Sequence, residues 1–378
     1  MTDKRVIVLA AGGTGGHLFP AEALAAELRC RGYDVHLATD ERARRFVRHF
    51  DKEHVHIISS ATFVRRHPFA IVKTFWRLLK GAVQSWLLFR KLRPVLVGGF
   101  GGYPSVPPIL IAALTRHITF IHEQNAVMGR ANRFLASRVS AIAGGLLLDR
   151  GQYAHKTFLT GNPVREDVLE AAKIPYCISA DQKPFRFLVF GGSQGASFFS
   201  RVVPEAVSLL DHDIRQRLHI VQQAHSKSTN LATIYDEMGV QAEIAPFFDN
   251  MAEHIARSHF IMSRSGASTV CEIAVIGRPA LLVPYPHALD HDQAANAAKL
   301  SSAGGAEIIA EKDLSAQKLS SLLTRICCEE DMLKKQAFAA KKVGKPYATS
   351  ILADMVEALI SGKSLSDIKM EFFNEDAS

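Results

Sequence analysis

Five segments of the chain place glycines or polar residues directly after an apolar run, which is the arrangement that lets a loop bind phosphate. These segments are GGTGGH (residues 12–17), GGFGGYPS (98–105), HEQN (122–125), GGSQGAS (191–197) and SRSGAST (263–269). Glycines allow the backbone to approach a ligand closely, and a helix that begins at the loop adds the positive end of its dipole. The five segments therefore predict a site for a phosphorylated ligand, and the last of them suits a diphosphate.

The first loop leaves two other phosphate-binding motifs to weigh. Against the dinucleotide fingerprint G-x-G-x-x-G, Leu18 stands where the third glycine belongs, although Asp40 could be the carboxylate that binds a ribose. A nicotinamide-dependent oxidoreductase therefore stays an alternative that Leu18 disfavours. A P-loop fits less well, because no lysine followed by serine or threonine comes after the glycines.

The elements that must position these loops alternate along the chain as apolar strands and helical stretches, which predicts an α/β fold with mostly parallel sheets. VIVLAAGGTGGH near the start and FRFLVFGGSQGAS from Phe185 repeat one strand–loop–helix pattern, so we expect two Rossmann-like domains joined near residues 161–163. Ligands bind beyond the carboxyl ends of parallel strands, which places the expected site in a cleft between the domains. The predicted strands are Val6–Ala10, Val35–Ala38, Val95–Val97, Ile118–Ile121, Phe187–Phe190, Leu218–Gln222, Phe260–Met262 and Ala280–Val283.

The sequence offers little for a metal or a disulfide. Five cysteines without a C-x-x-C pair indicate a reducing cytoplasm rather than a disulfide framework or a thiolate zinc site. Two D-x-D triplets, residues 211–213 and 290–292, match a signature for binding a metal–nucleotide complex, but a three-residue pattern arises easily by chance. We therefore predict neither a metal nor a cofactor.

A basic segment dominates the net charge of +8. Residues 65–93 contain many lysines and arginines, and no acidic residue occurs between Glu53 and Glu123. A one-sided field of this kind attracts a polyanion. A nucleic-acid binder would explain the charge but not the five loops, and no nucleic-acid-binding motif occurs, so we predict no nucleic-acid partner.

The same segment has the periodicity of an amphipathic helix over residues 67–94. Both tryptophans of the chain, Trp76 and Trp86, lie on its apolar side, and basic residues lie on another side. This combination favours peripheral docking of segment 65–93 on an anionic phospholipid surface. The alternative is a helix that packs its apolar side on the sheet and exposes a solvated basic side. No run reaches the ~18–20 apolar residues of a membrane span.

Seven motifs, in this order and spacing, resemble the bacterial MurG family. They are GGTGGHLFPA, GGFGGYPS, HEQNAVMGRAN, GNPVR, FGGSQGA, SRSGASTVCEIA and DQAANA, and the resemblance covers about residues 5–360. It implies the GT-B fold, in which two Rossmann-like domains with parallel sheets face each other across a deep cleft. It also implies inverting transfer of GlcNAc from UDP-GlcNAc to the MurNAc 4-hydroxyl of undecaprenyl-diphospho-MurNAc-pentapeptide (lipid I), which gives lipid II for peptidoglycan. The alternative is another GT-B UDP-sugar transferase that acts on a membrane lipid such as diacylglycerol.

The resemblance also implies a domain arrangement and a location. Residues 1–162 would form the acceptor and membrane side, and residues 163–345 would bind UDP-GlcNAc. Residues 346–361 would be a helix that returns to the first domain, and residues 362–378 a mobile tail. Because lipid I stays in the membrane, the enzyme would work as a peripheral protein at the cytoplasmic face of the bacterial plasma membrane.

By the same resemblance, the second domain holds most of the donor. The residues around its phosphates and ribose are Ala267, Ser268, Thr269, Val270 and Cys271, with Glu272 on the ribose hydroxyls. The Phe248 backbone would contact uracil, and Gln293 would bind GlcNAc hydroxyls. Ser193 and Arg165 would contact the phosphates. The residues that close over the donor sugar and the acceptor diphosphate are Thr14, Gly15, Gly16 and Asn125. The family more often has leucine and serine where this chain has Ser268 and Cys271.

His17 is the residue that we predict as general base. An imidazole has an unperturbed pKa of about 6.5, which suits proton transfer near neutral pH. The alternative for His17 is binding of acceptor phosphate or capping of the loop. Glu123 is a rival base, and its alternative is a structural role at a strand end.

Overall fold

The computed structural model describes residues 5–13, 15–43, 50–61, 68–148, 151–178, 184–224, 230–288 and 292–375 of the chain. Side chains are described for these residues except 68–71, 192–196 and 371–375. The chain forms two compact units, Met1–Arg165 with Pro346–Ser378, and Glu166–Lys345. The two predicted Rossmann-like domains are confirmed, since each unit contains one parallel sheet.

The sheet of the first unit has seven parallel strands within the described residues. They are β1 (Val6–Ala10), β2 (Asp34–Thr39), β3 (Val55–Ile57), β4 (Leu96–Gly99), β5 (Ile118–Glu123), β6 (Ala141–Gly144) and β7 (Thr157–Phe158). Their order across the sheet is β3-β2-β1-β4-β5-β6-β7. The order therefore reverses between β1 and β4, which is the switch point where open α/β sheets bind ligands.

Helices cover both faces of this sheet. They are α1 (Gly15–Cys30), α2 (Pro68–Leu92), α3 (Val106–Leu114), α4 (Arg130–Leu135), and, numbered in chain order, α14 (Ala348–Ile360) and α15 (Leu365–Glu375). Alternate residues of β1 face opposite sides, as strand geometry requires. Ile7 and Leu9 pack in the core that holds α1 and α14, whereas Val8 packs in the core that holds α3.

The second unit repeats the plan with a six-stranded parallel sheet. Its strands are β8 (Phe185–Phe190), β9 (Leu218–Gln223), β10 (Gln241–Ala245), β11 (Phe260–Ser263), β12 (Ala280–Leu282) and β13 (Ala306–Ile308), in the order β10-β9-β8-β11-β12-β13. Its helices are α5 (Glu166–Ala171), α6 (Gly192–Ser208), α7 (His212–Arg217), α8 (Leu231–Glu237), α9 (Met251–Arg257), α10 (Ala267–Ile276), α11 (Asp292–Ser302), α12 (Ala316–Cys328) and α13 (Glu330–Val343). The strand order reverses between β8 and β11, so this sheet also has a switch point.

The end of the chain differs from the prediction. We expected residues 362–378 to be a mobile tail, but α15 occupies Leu365–Glu375 and its Ile368 is fully buried. Lys369 also donates a hydrogen bond to the Ala154 carbonyl. For the described residues 362–375 the expectation was wrong, because Ile368 and the partly buried Leu365 pack against the core of the first unit. Before it, α14 packs on α1, where Arg31 forms ion pairs with Asp354 and Glu357.

Helix α2 lies with its apolar side outward. On the described part of the helix, Phe75, Trp76 and Trp86 have 63%, 62% and 41% of their surface exposed. The middle of the side that faces the protein carries small residues, and a Cβ on Gly81 would lie only 2.0 Å from the Ser59 carbonyl oxygen. Large apolar side chains are buried only on the last turns, at Leu88 and Phe89. The helix predicted over residues 67–94 is therefore present, but the alternative in which its apolar side packs on the sheet is wrong. None of the helices in the described ranges combines the length and apolarity needed to cross a bilayer.

Candidate active site

Three of the predicted loops meet at the switch point of the first sheet. They follow β1, β4 and β5, which are neighbours, so their carboxyl ends open onto the same edge. Gly101 and Gly102 have φ angles of 85° and 72°, a region that glycine occupies without strain. A Cβ on Gly102 would lie 2.8 Å from the Gly12 carbonyl oxygen, and one on Gly101 would lie 3.3 Å from the His17 ring. The two glycine loops therefore pack closely against each other around His17.

A chain of hydrogen bonds runs from a buried backbone carbonyl to His17. The first link joins His122 Nε2 to the Gly161 carbonyl oxygen at 3.0 Å. The second joins Gln124 Nε2 to His122 Nδ1 at 3.1 Å, and the third joins His17 Nδ1 to Gln124 Oε1 at 3.0 Å. Gln124 and His122 are both buried.

The donors and acceptors of this chain can occur in only one order. A carbonyl oxygen only accepts, so His122 carries its proton on Nε2 and accepts at Nδ1 from the Gln124 amide. The orientation of that amide is assigned from its partners, because its Nε2 also donates to the Phe100 carbonyl at 3.0 Å and a flip would set two oxygens against each other. Gln124 Oε1 therefore accepts from His17 Nδ1–H, which leaves the lone pair of His17 on Nε2.

The buried histidine is held neutral. Burial lowers the pKa of His122 to about 4, more than its hydrogen bond to Gly161 raises it. A neutral His122 is the form that can accept the Gln124 amide at Nδ1 while it donates at Nε2. The arrangement can therefore present His17 Nε2 as a proton acceptor.

The rival base is fully engaged. The Glu123 side chain is 2% exposed, and each of its oxygens accepts two hydrogen bonds. Asn125 donates its backbone and side-chain N–H groups to Oε1, both at 3.0 Å, while Gly129 N (3.0 Å) and Asn132 Nδ2 (2.8 Å) donate to Oε2. Glu123 therefore ties the loop after β5 to α4, and this geometry fits the structural alternative rather than proton transfer.

Asp40 also supports a loop. It is buried, its Oδ1 accepts from Gly13 N at 3.2 Å, and its Oδ2 accepts from Arg42 Nε at 2.8 Å. A nicotinamide enzyme would need this carboxylate for a ribose. The contacts instead tie it to the glycine loop, which further disfavours the oxidoreductase alternative.

The other first-unit candidates lie around the start of α1. Gly15 and Gly16 are its first two residues, and Thr14 lies outside the described residues. Phe19 lies in the second turn of α1, and the Arg165 guanidinium lies 5.1 Å from the centre of its ring. The structure thus brings His17, Gly15, Gly16 and Arg165 together, with Asn125 on the neighbouring loop.

In the second unit, a glycine turn leads into α10 at the switch point. Strand β11 ends at Ser263, Gly266 precedes the helix with extended backbone, and α10 begins at Ala267. The first amides of an α-helix have no partner within the helix, and α10 has no acidic residue in its first turn, so this end can bind a diphosphate. The candidates here are Ala267 and Val270, which are buried, and Ser268, Thr269, Cys271 and Glu272, which are partly exposed on the first turns.

Gln293 reaches this turn from α11. Its Oε1 accepts from Tyr285 N at 2.8 Å and from Ser265 N at 3.2 Å. Two backbone N–H groups on one oxygen fix the orientation of the amide, so Nε2 is left as the group that faces other partners. Gln293 is therefore oriented as a hydrogen-bond donor, which suits the hydroxyl of a sugar.

Arg264 lies in the SRSGAST motif beside the candidate residues, and sequence reasoning did not single it out. It is 6% exposed, forms an ion pair with Glu311, and donates from Nη1 to the Val283 carbonyl at 3.2 Å. Its guanidinium also lies over the rings of Phe199 (4.7 Å) and Tyr285 (5.3 Å). Arg264 thus connects β11, the Tyr285 loop and Glu311 beneath the glycine turn. An arginine inside an otherwise apolar and small-residue motif was the available signal.

Two second-unit candidates are placed less directly. Phe248 is 6% exposed, and its ring packs edge-on against His254 at 4.7 Å between ring centroids. The expected uracil contact of its backbone stays a prediction. It follows β10, which lies three strands from β11. Ser193 is the second residue of α6, after β8, and its side chain lies outside the described ones.

The two D-x-D triplets do not form a described metal centre. Residues 290 and 291 lie outside the described residues, and Asp211–Asp213 surrounds the start of α7, with exposed His212 and Asp213 side chains. In the part of the chain that the structure describes, three groups able to hold one ion come together only at Asp34, His36 and His54. These residues lie at the start of β2 and just before β3, away from the carboxyl edge.

Comparisons with known proteins cover the whole chain. The model of the glycosyltransferase family 28 N-terminal domain matches residues 7–143, and that of the C-terminal domain matches residues 186–351. A protein of Bartonella bacilliformis is 75% identical over 376 residues, and one of Brucella suis is 58% identical over 371. They cover 100% and 98% of both chains, respectively, and each is named UDP-N-acetylglucosamine–N-acetylmuramyl-(pentapeptide) pyrophosphoryl-undecaprenol N-acetylglucosamine transferase.

Solved structures agree with this comparison. The crystal structure of Acinetobacter baumannii MurG superposes with a TM-score of 0.74 at 27% identity, and it covers 94% of this chain and 99% of that one. A UDP-N-acetylglucosamine 2-epimerase superposes with a TM-score of 0.66 at 14% identity over 96% of this chain and 98% of its own. The second likeness shows the fold alone.

Proposed function

We propose the function of this chain from one premise, which is that it belongs to the MurG family of glycosyltransferases, within glycosyltransferase family 28. The chain transfers GlcNAc from UDP-GlcNAc to lipid I and releases UDP and lipid II. Full-length identity of 58–75% to transferases of that name supports this assignment.

The observation that carries the chemistry is the hydrogen-bond chain that ends at His17. In an inverting transfer, the acceptor hydroxyl attacks the anomeric carbon as the bond to the UDP oxygen breaks. The hydroxyl proton goes to a base, and the bond pair stays with the diphosphate. His17 Nε2 is the base in this proposal, because Gln124 holds the proton of the ring on Nδ1. Glu123 is then a positioning residue for Asn125 and the loop that carries it.

The second unit stabilises the leaving group in this proposal. The N-terminus of α10 binds the diphosphate through the amides of Ala267, Ser268 and Thr269, where Val270 and Cys271 complete the turn and Glu272 accepts ribose hydroxyls. The Gln293 amide donates to a GlcNAc hydroxyl. The remaining contacts stay proposals from the family resemblance: Thr14, Gly15, Gly16, Asn125, Arg165 and Ser193 at sugar and phosphates, and the Phe248 backbone at uracil. No residue of this set is assigned to a metal.

We assign the acceptor and membrane side to residues 1–162 and UDP-GlcNAc to residues 163–345. The exposed stripe of α2 supports the first assignment. Its apolar side chains recur at helical spacing on one face: Val72, Phe75, Trp76, Leu79, Val83, Trp86 and Leu87, all exposed. Exposed Lys73, Arg77 and Lys80 flank them, and the absence of acidic residues from the sequence around the helix leaves their field uncompensated locally. We infer that this stripe docks the enzyme on the anionic cytoplasmic face of the plasma membrane, where lipid I lies.

Vesicle binding tests the docking. The variant K73E/R77E/K80E should lose co-sedimentation with vesicles of phosphatidylglycerol at low salt, and F75S/W76S should weaken it at any salt. The control K318E/K335E/K342E makes the same change of net charge on exposed residues of the second unit. If the control releases the protein as fully as the first variant, net charge rather than the α2 stripe causes the binding.

Transfer of labelled GlcNAc to a lipid I analogue tests the activity. We expect transfer from UDP-GlcNAc that exceeds transfer from UDP-glucose and UDP-GalNAc and that survives EDTA. Diacylglycerol offered as acceptor distinguishes the alternative, since product from it and none from lipid I would contradict the assigned acceptor. Loss of transfer in EDTA that Mg²⁺ restores would contradict the metal-free mechanism.

A further inference from the structure

Three histidines and an aspartate cluster on two adjacent strands in the first unit. Asp34 and His36 are separated by one residue on β2, so they share a face of the sheet. His54 and His56 have the same spacing at the start of β3, which pairs with β2 in parallel. The ring centroids of His54 and His56 lie 4.7 and 5.1 Å from that of His36, so all three rings form one cluster.

The distances within this cluster fit a zinc ion. His36 Nε2 lies 3.3 Å from Asp34 Oδ2, and His54 Nε2 lies 3.2 Å from Asp34 Oδ1. Ligands at zinc–nitrogen and zinc–oxygen distances of about 2.0–2.2 Å stand roughly 3.3–3.5 Å apart in a tetrahedron. One ligand atom from each of Asp34, His36 and His54 lies within 4.8 Å of the other two, so small side-chain shifts suffice to close around an ion.

The fourth residue orients a ligand. His36 Nδ1 lies 3.0 Å from His56 Nε2. When His36 Nε2 binds an ion, its Nδ1 carries the proton and donates it to His56. This is the outer hydrogen bond that metal-bound histidines ordinarily make. His56 is therefore a positioning residue rather than a ligand.

The charges around the cluster limit its affinity. Arg29 interacts electrostatically with Asp34 and His36, and Lys91 with His56. Arg29 is fixed by a hydrogen bond from Nη2 to the Val35 carbonyl at 3.0 Å and lies over the Phe50 ring at 4.1 Å. The carboxylates of Asp51, Asp34 and Glu22 oppose the charge of Arg29. One carboxylate and two imidazoles against a nearby arginine suit a zinc-selective site of moderate affinity rather than one for Mg²⁺.

We propose that Asp34, His36 and His54 form a structural zinc site that fastens edge strand β3 to β2. The ion completes its tetrahedron with a water molecule. The cluster lies where β2 and β3 begin, whereas His17 and the loops lie at the carboxyl edge, so the ion stabilises the first unit without entering the transfer reaction. The proposal is independent of the proposed function, and chelation is expected to lower stability but not to abolish activity at permissive temperature.

Titration of the chelator-treated full chain with Co²⁺ and Zn²⁺ tests the proposal. We expect one Co²⁺ per chain with the strong visible absorption of a tetrahedral site, displacement of Co²⁺ by Zn²⁺, and a higher Tm with Zn²⁺. H36N, H54N and D34N should each lose the absorption and the Tm increase. H56Q should weaken affinity about 10- to 100-fold while one ion still binds.

The control is H212N, which removes an exposed histidine beside Asp213 in the second unit and should bind Co²⁺ as the parent does. Far-UV circular dichroism and UDP binding check that each variant is folded. If a histidine variant does not fold, D34N still tests the site, because asparagine has nearly the same shape as aspartate. Absence of tetrahedral Co²⁺ absorption in the parent, or its persistence in folded D34N and H36N, would overturn the proposal.

Discussion

The two units build the same motif, a strand, a glycine turn and a helix, but they stabilise it differently. At the turn before α1, buried side chains stabilise the loop by hydrogen bonds, from Gly13 N to Asp40 and between His17 and Gln124. At the turn before α10, the helix end is left to small residues, and the Gln293 side chain is fixed by two backbone amides. In the proposed mechanism this difference matches two tasks, since the first turn would accept a proton and the second would bind the charge of the diphosphate.

Replacing His17 should break the comparison most strongly. We expect H17A to lower kcat by about 100- to 10,000-fold, because a positioned base contributes that much, while KM for UDP-GlcNAc stays near the parent value. Steady-state kinetics with a lipid I analogue measure both. H212A is the matched control on an exposed histidine. Parent-like turnover of H17A would remove His17 as the base.

Low pH should destabilise the protein through His122, at the buried end of the hydrogen-bond chain that leads to His17. His122 has a pKa of about 4 in the folded protein and an ordinary value near 6.5 when unfolded, so the unfolded state binds more protons below pH 6.5. Stability should therefore fall as pH drops from about 6.5 to 4, by up to about 3 kcal/mol from this group. Urea unfolding measures this loss of stability when it is followed by the fluorescence of Trp76 and Trp86, which both lie in the first unit. H122Q should show a shallower pH dependence, and an equally steep one would assign the loss to other groups.

Gln124 sharpens the comparison, because it acts on His17 without touching substrate in the proposed mechanism. We expect Q124L to lower kcat about 10- to 100-fold through loss of the Nδ1 hydrogen bond, with KM for UDP-GlcNAc unchanged. The ¹⁵N chemical shifts of His17 should show Nδ1–H in the parent and a mixture of tautomers in Q124L. A parent-like tautomer in Q124L would contradict the positioning role.

Gln293 should give the smallest effect, since the second turn depends on the backbone. Q293E keeps an oxygen for the Ser265 and Tyr285 amides but loses the donor, so we expect about a 2- to 10-fold rise in KM for UDP-GlcNAc, the value of one hydrogen bond. Q293A loses both the oxygen and the donor, so it should raise KM for UDP-GlcNAc further than Q293E does. Binding of UDP alone is the control, and it should change little in Q293E.

Much of the scaffold could be predicted because its signals are local. Long apolar runs that end in glycine identified β1 and β8, and the glycine turn identified the start of α10. Strands β3 and β7 were not predicted, because three and two residues, respectively, carry too little periodicity. Nor could the sequence decide which side of α2 faces inward, since that depends on the close approach of Gly81 to Ser59.

The residues of the candidate site could be predicted from the sequence, but the contacts between them could not. The HEQN run signalled polar groups at a strand end, yet only the fold shows that Glu123 is saturated by hydrogen bonds and that Gln124 contacts His17. Which of four adjacent polar side chains faces which loop depends on strand order and packing, and both are set by residues far away in sequence. Arg264 was passed over for the same reason, because its ion-pair partner Glu311 lies 47 residues on.

The return of α14 to the first unit has a consequence for synthesis of the protein on the ribosome. The core shared by α1 and β1 includes Leu352, Met355 and Val356 of that helix. A nascent chain that has emerged only to residue 165 therefore lacks part of the core of its first unit, while the second unit is continuous in sequence and has all its own residues earlier. The unit that is translated first therefore completes its core only after the second unit has been translated, and its apolar surface stays uncovered until α14 has emerged.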